Sequence, residues 1–281
     1  MPVTSLKESI RMLRHPVLWI PGFYAGILVA CTVWLGFSGE TFISGKLMFL
    51  GAALFPLFVA GALSCLSSGS FTPASFIQNA PLSFFRVLMP VIITIGIIFL
   101  LLFLVSIPFA IAGLGNDPAM ISGLFIGITV PVIVFSLFAD NVAISEGQKA
   151  FDSLKRSYEI VSRSFLPAIT YIIVSIVSTC ILGLFFAMIW GMVLSDRFTQ
   201  YIDLSVAEQQ KVFSGFGIPE WQNILGPDGI LISAITIGLF FMVLIPFLIV
   251  YKQQCYLKAS SFVPEVVISG EYDAKGRWYK Y

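Results

Sequence analysis

The chain has 281 residues, a mean hydropathy of +0.95 and a charged fraction of only 11%. A soluble domain carries about 25% charged residues, so the composition excludes a water-soluble globule. The net charge of +1 says little as a sum, but its distribution along the chain is informative. Cys31, Cys65, Cys180 and Cys255 show no paired spacing and His15 is the only histidine, which excludes a zinc site or disulfide framework.

Lys7, Arg11 and Arg14 precede an apolar run, as in a signal peptide, and Leu28-Val29-Ala30-Cys31 resembles the box cleaved in bacterial lipoproteins. The apolar run continues through Val33-Trp34-Leu35, so this segment is expected to span a membrane rather than be cleaved. Six stretches are long enough to cross a hydrocarbon core: about 17–37, 47–66, 87–113, 119–139, 166–194 and 229–250. Lipid leaves an exposed backbone unsatisfied, so each must be a helix. The expected fold is all-α, a polytopic transmembrane bundle of six helices with a polar tail over 252–281.

Placing the N-terminus inside puts thirteen of the sixteen basic residues on the inner side, leaving Lys46, Arg197 and Lys211 outside. The acids split eight and seven. The positive-inside rule then puts both termini in the cytoplasm. Pro16, Pro90 and Pro167 open the odd spans, and Pro56, Pro131 and Pro246 lie inside the even ones. This spacing suggests a three-fold repeat of an inner surface helix followed by a transmembrane hairpin. The surface helices would be a segment opened by a Ser5–Glu8 capping box, the stretch Ser75 to Arg86, and about 146–165. Membrane helices tolerate proline generally, so chance alignment is the alternative.

The surface helix at 146–165 is the densest run of charge. Ser145-Glu146-Gly147-Gln148 fits a capping box at its start. Phe151, Leu154, Tyr158, Val161 and Phe165 form an apolar stripe expected to dock the helix. Lys149, Arg156 and Arg163 recur every seven residues on another face. Asp152–Arg156 and Glu159–Arg163 have the spacing of helical ion pairs. With Lys155 the helix carries four bases and three acids, so apolar docking outweighs attraction to anionic lipid. Asp140 ends the fourth span and is expected to pin the surface helix through Ser157, Arg156 or a nearby amide. A functional ionisable site is the alternative there.

Tyr171, Ser175, Ser178 and Thr179 form a polar line on the fifth span, suited to helix packing or, alternatively, to a substrate path. The outer loop, about 195–228, opens a short helix at a Ser205–Glu208 capping box. Its Phe213, Phe216, Ile218, Trp221, Ile224 and Leu225 should lie on the bilayer or cap the bundle. Trp19, Trp34 and Trp190 fall near span ends. Glu271 to Tyr279 reads either as a small hairpin about Asp273-Ala274-Lys275-Gly276 or as a disordered end.

The run from Phe138 to Ile144, then Gly147 and Ala150 to Val161, resembles the membrane domain that precedes the catalytic domain of some prokaryotic glycerophosphodiester phosphodiesterases. Related six-helix families share it. The pattern falls on Asp140, Ala150, Leu154, Lys155, Arg156, Ser157 and Tyr158. The resemblance implies a membrane module and not the hydrolase, because the residues after 250 are too few for a catalytic barrel.

No hydrolase, nucleotide-binding or nucleic-acid signature is present. No cofactor is expected. The spans carry almost no charge, which argues against an ion-coupled pump. The favoured expectation is a non-enzymatic scaffold, accessory subunit or lipid-engaging module whose partners are membrane lipids, a membrane protein or a second copy. A small-molecule or lipid transporter is the second reading and an intramembrane lipid-modifying enzyme the third.

Overall fold

The computed structural model describes residues 2–111, 118–202, 205–215, 217–263, 270–272 and 278–280. Six of its helices are long and apolar enough to cross a membrane. The protein is an all-α polytopic bundle. In chain order its helices are α1 (Pro2–Met12), α2 (Ile20–Phe37), α3 (Thr41–Ser68), α4 (Pro73–Ile111), α5 (Pro118–Phe135), α6 (Ala139–Ser145), α7 (Ala150–Arg163), α8 (Phe165–Val193), α9 (Ser195–Ile202), α10 (Val206–Ser214) and α11 (Ile218–Ser260). A short 3-10 turn, Pro16–Trp19, leads into α2. Two three-residue strands, β1 (Gly270–Tyr272) and β2 (Trp278–Lys280), pair antiparallel in the tail. The predicted turn between them, residues 112–113 and Phe216 lie outside the described residues.

The spans pack as an open row in the order α5, α4, α3, α2, α11, α8. The tightest joint is α2 on α11. A Cβ on Gly22 would lie 2.3 Å from the Met242 carbonyl oxygen, and one on Gly26 2.6 Å from that of Gly238. Gly22 and Gly26 are one turn apart, so they form a single groove into which α11 fits backbone against backbone. Next in the row, Tyr24 donates a 2.8 Å hydrogen bond to the Gly51 carbonyl, tying α2 to α3. Gly61 leaves room for the Phe76 ring where α3 meets α4.

The ends of the row are different. Beyond Pro90 in α4, through residues 119–135 of α5, and from 169 to 193 in α8, no described side chain is buried. Isoleucine, leucine and phenylalanine dominate these surfaces. Leaving ten such side chains in water would cost about 15–30 kcal/mol at roughly 1.5–3 kcal/mol each. That exceeds the ~5–15 kcal/mol by which domains are stable, so these flanks require an apolar surround.

Most of the core lies at one end, here termed basal, where α1, α6, α7 and the last turns of α11 meet. At the opposite end Leu194, Leu225 and Ile230 are buried with Trp190, Phe198 and Trp221 around them. The loop beyond α8 therefore caps the row. Gln222 donates to the Phe37 carbonyl there.

Four boundaries differ from expectation. The predicted surface helix over Ser75–Arg86 is the first part of α4, a 39-residue helix about 58 Å long. It is not a separate surface helix, because it runs unbroken into the span; Phe76, Ala80 and Val87 bury one face, with Phe76 seated against α3. A discrete surface helix thus precedes the first and fifth spans but not the third. The helix predicted over 146–165 begins at Ala150, because Ser145 closes α6 and Gly147 turns the chain at φ +65°. The Ser5–Glu8 box caps nothing, since α1 already begins at Pro2. The sixth span starts after a break at Gly226 (φ +63°) and continues to Ser260, into residues assigned above to the tail.

A polar cluster at the basal end

Pro131 removes one backbone donor from α5, and Ser136 turns its hydroxyl back to the Val132 carbonyl at 2.8 Å. The helix stops at Phe135 and restarts at Ala139 as α6. Ser157 of α7 bridges the interruption. Its hydroxyl donates to the Phe135 carbonyl at 2.8 Å and accepts from the Phe138 amide at 3.1 Å. One side chain thereby replaces backbone bonds lost at the break. Ser157 is fully buried, as a substitute for backbone must be.

The restart aims α6 at the last turns of α11. Lys252 donates to both Asp140 carboxylate oxygens at 2.7 Å. The two side chains are 19% and 16% exposed, so the pair is largely shielded. One residue on, the Asn141 amide donates to the Gln253 carbonyl oxygen at 2.6 Å, and the Gln253 amide reaches Ser145 at 3.4 Å. At the far end of α6, Glu146 binds on both oxygens. It receives Tyr256 at 2.9 Å on one and the Arg156 Nε at 3.3 Å on the other. Arg156 also reaches Glu159 at 3.6 Å and donates to the Val263 carbonyl at 2.7 Å. Two ion pairs thus flank a buried amide pair and join α6, α7 and α11.

Asp140, Arg156 and Ser157 all lie at this end; Asp140 accepts from a nearby backbone amide, that of Asn141, at 2.9 Å, but bonds neither Arg156 nor Ser157. Asp140 pairs with Lys252 and not with α7. The predicted Asp152–Arg156 and Glu159–Arg163 pairs are not formed; Arg156 turns instead to Glu146 and Glu159. Lys149, Lys155 and Arg163 lie on exposed surface away from the cluster. The docking stripe is also corrected, except at Val161, which is buried as expected. Phe151, Tyr158 and Phe165 are 73%, 55% and 49% exposed, while α7 docks through Ser153, Ser157, Ile160 and Val161. Phe135 still packs on Tyr158 from α5, with ring centroids 4.8 Å apart.

On α8 the polar line divides. Tyr171 packs on Tyr251 (centroids 6.1 Å apart) and is close enough to Lys252 and Asp140 to feel both charges. Ser175 stands one turn above it. Thr179 bonds back to the Ser175 carbonyl at 2.7 Å, and Ser178 is half-exposed. The line leads from the cluster and then dissolves into lipid-facing surface.

Glu146, Asn141, Lys252, Gln253 and Tyr256 were not anticipated. Their signal was the polar run Lys252-Gln253-Gln254 directly after an apolar span, which a continued helix places on the basal core. A cavity of about 280 Å³ between α4, α5 and α6 exposes Asp140 and Lys252 at its wall. Its hydroxyls, Thr94 and Ser136, bond to their own helices. The grooves along α4–α5 and α8–α11 are lined almost wholly by apolar side chains.

The charges of the cluster are paired, while the Asn141 side-chain oxygen is buried without a hydrogen-bond partner among the described residues. Each carboxylate faces a cation, and His15 lies elsewhere, stacked on Phe71. Among the described residues no group of three His, Cys, Asp or Glu side chains could hold a metal. All four cysteines are free thiols. Against known proteins the chain matches no family model, no curated protein and no solved structure.

Proposed function

We propose that the chain is a non-enzymatic, lipid-engaging module of a prokaryotic cell membrane, with its basal end and both termini in the cytoplasm. One observation carries this reading. The flanks of the row bury no side chain over most of their length, while the basal charges satisfy one another. The protein is thus rigid at one end and solvated by lipid along its sides. A carrier needs a polar path through the row, and the grooves there are apolar. The clustered carboxylates are held by Lys252, Arg156 and Tyr256, which suits a structural role. Orientation follows from the excess of basic residues on the basal side. Kinship to the phosphodiesterase membrane domains belongs to the same proposal. The residues carrying that resemblance, Asp140, Arg156 and Ser157, are those that build the cluster.

The test is retention. Purified protein, exchanged from a bacterial lipid extract into detergent, should keep bound lipid visible by native mass spectrometry and lose thermal stability when stripped. The same extract incubated with the protein should be recovered chemically unchanged. New lipid products that disappear in Asp140→Asn would overturn the reading.

A further inference from the structure

The cavity of about 280 Å³ between α4, α5 and α6 sets the Asp140–Lys252 pair in a wall that is apolar but for Thr94 and Ser136, and no other charged residue lines it. We infer that it binds the headgroup of a zwitterionic lipid carrying a primary amine, as phosphatidylethanolamine does. The 18-residue α5 is about 27 Å long, close to the ~30 Å thickness of a hydrocarbon core. Asp140, just past the end of α5, therefore stands at headgroup depth.

The pair is balanced in charge but not in hydrogen bonds. An ammonium carries three donors. Lys252 gives one to each Asp140 oxygen, at 2.7 Å, and meets no other acceptor among the described residues. A carboxylate offers about four acceptor sites. The Asn141 amide takes a third, on Oδ1 at 2.9 Å, which leaves one on Oδ2. A donor and an acceptor are thus left over side by side, on side chains that are 19% and 16% exposed. Thr94 and Ser136 each donate to their own helix, so their oxygens keep acceptor capacity.

A wall with one cation and one anion has no net preference for either sign. Its complement is a ligand carrying both: a phosphate oxygen to accept from Lys252, and an ammonium to donate to Asp140 and the two hydroxyl oxygens. A quaternary amine has no N–H to give, so choline does not qualify. The volume falls just under the ~300 Å³ at which typical ligand pockets begin, which suits a small headgroup and not a sugar. The apolar groove along the same two helices, past Val105, Phe109 and Leu124, offers a bed for acyl chains and so favours a lipid over a free headgroup. The proposal rests on the lipid-engaging reading and goes further by naming the headgroup.

The experiment uses the full chain in detergent, titrated separately with phosphatidylethanolamine, with phosphatidylcholine and phosphatidylglycerol of the same acyl chains, and with free phosphoethanolamine. Binding is read by native mass spectrometry and by the rise in melting temperature. Wild type should favour phosphatidylethanolamine. Val91→Trp and Ile95→Trp fill the cavity from exposed positions on α4 without touching the ion pair. Each should weaken that binding about ten-fold, the value of one hydrogen bond to a charged group, and leave the lipid-free melting temperature unchanged. Asp140→Asn should lower the preference for phosphatidylethanolamine over phosphatidylcholine by a similar factor, a ratio that a loss of stability alone does not move. Ile181→Trp, exposed on α8, is the control. Equal retention of phosphatidylethanolamine and phosphatidylcholine, or a preference unchanged in both tryptophan variants, would overturn this site while leaving general lipid engagement intact. Tighter binding of phosphatidylglycerol would overturn the headgroup. Stabilisation by free phosphoethanolamine equal to that by the lipid would overturn the lipid source. Retention of no lipid at all would refute the broader function.

Discussion

Removing Asp140 tests the basal cluster most directly. Asp140→Ala leaves the Lys252 ammonium without its carboxylate, on a side chain only 19% exposed. Exposed pairs contribute at most about 1 kcal/mol, whereas breaking a buried pair costs about 3–5 kcal/mol. At this partial burial the expected loss is roughly 2–3 kcal/mol. Lys252→Ala should cost a similar amount, because it strands the carboxylate. The double change Asp140→Ala with Lys252→Ala should cost less than the two single losses summed, since no charge is then stranded. Reversible unfolding by SDS in mixed micelles, arranged as a double-mutant cycle, measures the coupling. About 2 kcal/mol is expected, within the range for residues in contact. Coupling below about 0.5 kcal/mol, with the single losses simply adding, would refute the pinning role.

Gly26→Ala should destabilise by about 1–3 kcal/mol, because its Cβ meets backbone rather than a movable side chain; Gly45→Ala, with nothing within 4 Å of its Cβ, should be neutral or mildly stabilising in the same assay. Ser157→Ala should cost about 1–3 kcal/mol, since it strands a carbonyl and an amide at the α5–α6 break, and faster hydrogen exchange at Phe138 would report it. The Ser205 hydroxyl and amide donate to Glu208 and hold its carboxyl below the usual range. The sign follows: this cap is intact above the ordinary carboxylate pKa and is lost as pH falls through the depressed value. Protection of α10, corrected for intrinsic exchange, should fall with pH in wild type but not in Glu208→Gln. Orientation is checked with single cysteines after Cys31 and Cys180 are replaced by Ser: Lys46→Cys should label from outside the cell and Lys155→Cys from inside only.

The six spans were legible because lipid forces each long apolar run into a helix. The docking face of α7 was not legible, for an instructive reason. In water a Phe-Leu-Tyr-Val-Phe stripe reads as core. At a membrane, large apolar side chains also face lipid, and small ones let helices approach closely. Ser153 and Ser157, four apart, are the face that docks. The capping boxes make a similar point. Four Ser-x-x-Glu or Ser-x-x-Gln patterns occur; the one at Ser205–Glu208 closes, and Ser75–Gln78 already lies inside α4. At Ser5 the helix has already begun, and at Ser145 the following Glu146 is committed to Arg156 and Tyr256. A local pattern is realised only where no tertiary partner competes. Lys252 stands 112 residues from Asp140, a distance at which no periodicity speaks. The Gly22–Gly26 spacing, in contrast, was available as a sign of close helix contact.

The joint between α2 and α11 has a consequence for biogenesis. Its two sides are the first and the sixth span, separated by some two hundred residues of chain. A translating ribosome delivers Gly22 and Gly26 long before Gly238 exists. Until then the groove on α2 faces lipid, and the middle spans can pair only with neighbours. The row is therefore completed from its middle, and last, when α11 inserts beside the oldest helix. Truncation or stalling ahead of α11 leaves a chain that is threaded through the membrane but lacks its axis, with the Asp140 carboxylate still awaiting its lysine.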